Sequence, residues 1–127
     1  SCPLFVPLVE EGLTKGPITK LIVESYLSHF KNTDVDTLIL GCTHYPILTA
    51  VIKDVVGKNI SLVDSGKATA EVVMDVLKKN DILSEESNGG VHSFVTDSKQ
   101  SFQKVITKAL TSEINISIKS INRIDIG

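Results

Sequence analysis

The sequence predicts an α/β fold with a largely parallel sheet. Short apolar runs alternate along the chain with segments of helical periodicity, and Gly-Pro, Gly or Asp-Ser-Gly steps separate them. The 127 residues have the length of one domain, and 42% apolar with 22% charged residues is an ordinary globular composition.

Each element has its own signal. Pro3 suggests a turn near the start. Gly16-Pro17 opens a helix, with Ile18, Leu21, Ile22, Tyr26 and Phe30 at helical spacing and Pro17 tolerated at its first position. Val35 to Leu40 is a short apolar run, read as a strand buried on both faces. A second helix starts at Pro46, carries Ile47, Leu48, Val51, Ile52, Val55 and Val56 on one stripe, and ends at Gly57. ISLVD is a strand, and Asp64-Ser65-Gly66 opens a third helix, with Asp64 or Ser65 as N-cap and Val72, Val73, Val76 and Leu77 along it. SEESNGG (84–90) is the most linker-like stretch. VHSFVT is then a strand. Phe102, Val105, Ile106 and Ala109 mark a fourth helix, and Ile114, Ile116 and Ile118 alternate as in a half-exposed edge strand. Phe94 and Phe102 read as core, His29 and His92 as surface.

Composition narrows the function classes. The net charge of −2 has no basic stripe, so no nucleic-acid partner is expected. No apolar run approaches the ~20 residues of a membrane span, so no membrane partner is expected. No secretory leader is read, although the first residue is Ser rather than Met. Two cysteines without export signals read as free thiols in a reducing, cytoplasmic setting. Cys42 and His44 sit too close for a standard tetrahedral set and no second ligand pair appears, so no metal is expected.

The chemistry concentrates in LILGCTHYPIL (38–48). In parallel sheets ligands bind beyond the carboxyl ends of the strands, and GCTHY stands at such an end. A helix starting near Pro46 favours a thiolate at Cys42 or a ligand carboxylate there. Gly41 leaves the backbone open to close approach, Thr43 adds a hydroxyl, and His44 exchanges protons near neutral pH. The plain alternative is a small apolar cysteine, with Thr43 or His44 capping the helix. Tyr45 either lines the cleft or packs beside Pro46.

LILGCTHYPIL resembles the second catalytic-cysteine motif of the glutamate racemases, within the aspartate/glutamate racemase superfamily. SCPLFVPLVEEG resembles the segment preceding that cysteine, SLVDSGKATAEVV the strand and helix after it, and HSFVTDSKQSFQKV the last strand and helix. Four segments agree in order. Family members are roughly twice as long, so the likeness is to their C-terminal half. It implies portions of two pseudo-symmetric α/β domains with the active site between them. Residues 1–63 would be the later part of the second domain, and 64–127 the segment returning to the first.

The resemblance further implies cofactor-independent interconversion of L- and D-glutamate between two cysteines, which supplies D-glutamate for peptidoglycan. Cys42 matches the second cysteine, Thr43 and His44 the substrate contacts after it, and Glu10 an acidic residue assisting proton traffic, with Glu11 as the competing choice. No cofactor is implied, the partner is glutamate, and the intact enzyme is expected to be a homodimer. No Cys-Asn-Thr, the family's other cysteine motif, occurs here, and Cys2 falls outside the catalytic pair. Asp64-Ser65-Gly66 is not taken as the family's Asp-Ser-Gly. An aspartate-specific racemase or a non-catalytic carboxylate-binding module are the rival readings.

Overall fold

The structure, a computed structural model, describes residues 1–86, 89–110 and 117–126. Ile114, Ile116, the Ala109 side chain and part of the polar loop lie outside the described residues. The chain forms two compact units, Ser1–Leu83 and Ser84–Gly127, so the division falls where SEESNGG begins.

In the first unit the order is α1 (Phe5–Glu10), α2 (Pro17–Leu27), a 3-10 turn (Ser28–Asn32), β1 (Thr37–Leu40), a second 3-10 turn (Tyr45–Leu48), α3 (Thr49–Val56), β2 (Ser61–Asp64) and α4 (Ser65–Lys79). β1 and β2 pair in parallel, Thr37 against Ser61 through Leu40 against Asp64. Tight turns cannot join parallel strands, so the intervening residues form a crossover, and α3 is its helix. The second unit repeats the logic with β3 (Gly90–Val95), α5 (Lys99–Leu110) and β4 (Ser117–Arg123). β3 and β4 are parallel, with a register shift at Val91/His92.

Among the described residues the buried apolar core belongs to the first unit. Phe5, Leu8 and Val9 of α1, Val23 and Leu27 of α2, and Leu48, Ile52, Val55 and Val56 along α3 are all buried, with Leu40 and Ile60 beside them. The α3 stripe is the one its spacing predicts, although the segment opens as a 3-10 turn at Tyr45–Leu48 before becoming α-helical. Gly57 ends it at φ +94°, a conformation that costs residues with a Cβ. Asp64 caps α4, its Oδ1 accepting from the N–H of Gly66 at 2.8 Å and of Lys67 at 3.3 Å.

Three expectations change, and one helix was not foreseen. α1 has no cap and carries Pro7 inside its six residues, so no periodic signal announced it. α2 lies where predicted, but Ile18 and Leu21 are exposed and its buried face is Thr19, Val23 and Leu27. Thr19 tolerates burial because its hydroxyl donates to the Leu13 carbonyl at 2.9 Å, with the Lys15 carbonyl at 3.3 Å. β1 is covered on one face only: Leu40 is buried while Ile39 is 71% exposed, its strand neighbour Val63 also facing outward. Phe94 is not core but 63% exposed, because Ser93 takes the covered side of β3. Phe102, Val105 and Ile106 are half-buried as a stripe on α5, and His29 and His92 are exposed. Among the described residues no helix is long and apolar enough to cross a membrane.

Ile52, fully enclosed, tests this core. Ile52→Ala removes buried methylenes and leaves a cavity, so urea unfolding of the first unit should show a loss of about 2–5 kcal/mol. Asp64→Ala, which deletes only a cap, should cost about 0.5–2 kcal/mol in the same measurement.

Candidate active site

Leu40 is the last residue of β1, at the carboxyl end of the sheet and opposite Asp64. The chain turns out of the sheet at once, the Gly41 N–H donating to the Ile39 carbonyl at 3.0 Å. An added Cβ at Gly41 would meet nothing within 4 Å, so the first unit itself does not require glycine there. Two short bonds then wind the segment into the crossover: Tyr45 N–H to the Cys42 carbonyl at 3.2 Å, and Ile47 N–H to the His44 carbonyl at 3.1 Å. Cys42 and His44 are half-buried in this bend, and Thr43 is exposed. Cys42 is a free thiol.

His44 occupies the N-cap of the 3-10 turn but makes no side-chain capping bond. Its ring is held elsewhere. Nδ1 lies 3.3 Å from the Thr43 hydroxyl, and Nε2 lies 3.8 Å from Oε1 of Glu10, which α1 brings across. If Nε2 carries the proton, Nδ1 accepts from Thr43 while the N–H faces the carboxylate. The 3.8 Å separation exceeds hydrogen-bond length, so the pair attracts as charges when the imidazole is protonated. With the Glu10 side chain 56% exposed, water screens that attraction and it adds little stability. A carboxylate, an imidazole and a hydroxyl in series are groups of the kind that can pass a proton.

The structure therefore brings together His44, Thr43 and Glu10, with Cys42 two residues before His44. Between the two neighbouring glutamates, Glu10 is the one at ion-pair distance; Glu11 ends α1, its N–H donating to the Pro7 carbonyl. Asp64 is engaged in capping α4. Burial pushes the Cys2 thiol up from its ordinary value. Tyr45, left open by the sequence, packs its ring edge-on against Phe5 at 5.1 Å between centroids and donates its hydroxyl to the Cys2 carbonyl at 3.3 Å. Burial likewise pushes its phenol up, which keeps it a donor. An aromatic next to Pro46 was the signal available for it. Among the described residues no group of three His, Cys, Asp or Glu side chains could hold a metal ion.

No family model matches the chain. Over 115 residues, 90% of its length, it is 42% identical to the glutamate racemase of Chlorobaculum parvum and covers 42% of that protein. Its structure is similar to that of the Francisella tularensis glutamate racemase in complex with D-glutamate, with a TM-score of 0.77 and 30% identity, covering 98% of this chain and 45% of that one. The Thermus thermophilus glutamate racemase in complex with β-chloro-D-alanine gives the same TM-score of 0.77 at 33% identity, covering 98% and 46%.

The chain is a relative of the glutamate racemases. It spans less than half the length of those it matches. The α/β class is shared with glutamate racemases of solved structure, and the parallel β1–β2 pair that Cys42 follows lies in the part of the chain that this likeness covers.

The two thiols should differ toward an electrophile. Attack requires the thiolate, and burial depletes it at Cys2. Iodoacetamide at pH 7, followed by peptide mapping, should label Cys42 ahead of Cys2, and the lag of Cys2 should shrink as pH rises toward its elevated pKa.

Proposed function

We propose that this chain is the part of a glutamate racemase that supplies one of two opposed cysteines for inversion at Cα. The ordered similarity over 90% of the chain to a glutamate racemase carries this reading. The arrangement of Cys42, Thr43, His44 and Glu10 at the carboxyl end of β1 supports it. The opposing cysteine comes from polypeptide outside these 127 residues, because neither Cys2 nor any Cys-Asn-Thr provides it.

The chemistry follows from symmetry. One thiolate takes the Cα proton from one face, and the bonding pair left on Cα is delocalised into the adjacent carboxylate. The other sulfur, a thiol, gives its proton to the opposite face and becomes the thiolate. The centre is inverted, and the enzyme is left with its two sulfurs in exchanged protonation states. A single base would return the proton to the face it came from, so two positioned groups are required. Cys42 acts as acid in one direction and as base in the other. His44 orients the substrate or carries the proton to and from the Cys42 side, with Glu10 receiving it behind, and Thr43 contacts the substrate through its hydroxyl and N–H. No external cofactor enters these steps, since the substrate's own carboxylate holds the developing charge.

The wider reading is that residues 1–63 belong to the second domain of the intact enzyme and 64–127 return to the first. The enzyme would act as a cytoplasmic homodimer and feed D-glutamate to peptidoglycan synthesis. The exposed apolar positions Val72, Val73 and Val76 of α4 support such a return, because little of that helix is covered in this unit.

Optical rotation of L-glutamate tests the assignment. The 127-residue chain alone should show no racemisation. In a full-length racemase carrying these residues, Cys42→Ser should lower turnover by about 10²–10⁴-fold or more, the scale of a lost positioned base. Robust turnover by the short chain, or near-wild-type turnover by Cys42→Ser, would overturn it.

A further inference from the structure

We propose that Tyr45 is a positioning residue that sets the distance between Glu10 and His44. This rests on the reading that those two side chains serve Cys42, but its physical content is independent of turnover. Glu10 and His44 come from separate pieces of chain, α1 and the bend after β1, and their 3.8 Å separation is too long to hold them together. Something else must fix one piece against the other.

Tyr45 makes that connection at three points. Its N–H donates to the Cys42 carbonyl at 3.2 Å, which fixes the residue within the bend that carries His44. Its ring meets Phe5, the first residue of α1, edge-on at an interplanar angle of 72°. Its hydroxyl reaches past that ring to the Cys2 carbonyl at 3.3 Å, and the Cys2 carbonyl in turn accepts the Phe5 N–H at 3.0 Å. Phe5 also meets Tyr26 of α2 edge-on, at 5.6 Å between centroids, and is 1% exposed. The start of α1 is thereby clamped, and the short rigid helix carries Glu10 to its other end. Edge-to-face aromatic contacts add to what buried area alone contributes, which favours one placement of a six-residue helix over many.

The readout is the coupling between the two side chains, observed in the 127-residue chain by NMR. Glu10→Gln should shift the His44 imidazole resonances, which are assigned by comparison with His44→Asn. In a Tyr45→Leu background that response should fall by about half or more, the signature of a coupling transmitted through the altered residue. Tyr45→Phe, which keeps the ring and loses only the bond to Cys2, should retain most of it. A full response in Tyr45→Leu overturns the proposal. Should that variant unfold, Phe5→Leu, which removes the ring that Tyr45 packs against, replaces it, and an undiminished response there overturns the proposal equally. The racemisation assay is untouched by these outcomes, so the positioning role and the proposed activity fail separately.

Discussion

The parallel pairing of β1 with β2 governs the rest of the first unit. Parallel neighbours require a crossover, and this crossover begins at Gly41, where the chain leaves the sheet, and descends through α3. The residues that initiate it are Cys42, Thr43 and His44, so the candidate site occupies the first bend of an obligatory connection. Leu48, Ile52, Val55 and Val56, all buried, anchor that connection and prevent the bend from wandering. α1 then packs at the start of the crossover and delivers Glu10. The candidate site is in this way held by an apolar core.

Much of this was legible in the residues. The α3 stripe, the positive φ at Gly57 and the Asp64 cap all follow from local rules, and each appears at the expected position. What escaped depended on tertiary context. α1 is too short for a periodic signal and contains a proline, and Thr19 reads as polar until its two carbonyl partners are seen. β1 reads as doubly buried, yet Ile39 stands exposed, since helices cover only one side of a two-stranded sheet. At the site, the cysteine and histidine were evident from their place after an apolar run. The encounter of Glu10 with His44 across 34 residues of sequence has no periodic signature; family resemblance pointed to Glu10 as an assistant at Cys42, but not to this pairing. Tyr45 gave only an ambiguous signal, because an aromatic beside a proline can serve packing or a cleft equally well.

The exposed apolar side chains have a common pattern. Ile39 and Val63 sit on the open face of the first sheet, and Val72, Val73 and Val76 along α4. Surfaces of this kind are commonly interaction faces. The chain spans less than half the length of the glutamate racemases it matches, and these faces lie open in it.

Hydrogen exchange at Cα, followed separately for each enantiomer of glutamate in deuterated water, tests most directly whether Cys42 serves one face of the substrate. In a full-length racemase carrying these residues with Cys42→Ala, the remaining sulfur should still wash deuterium into one enantiomer, while exchange of the other and all interconversion cease. Equal exchange of both enantiomers by that variant would contradict the account.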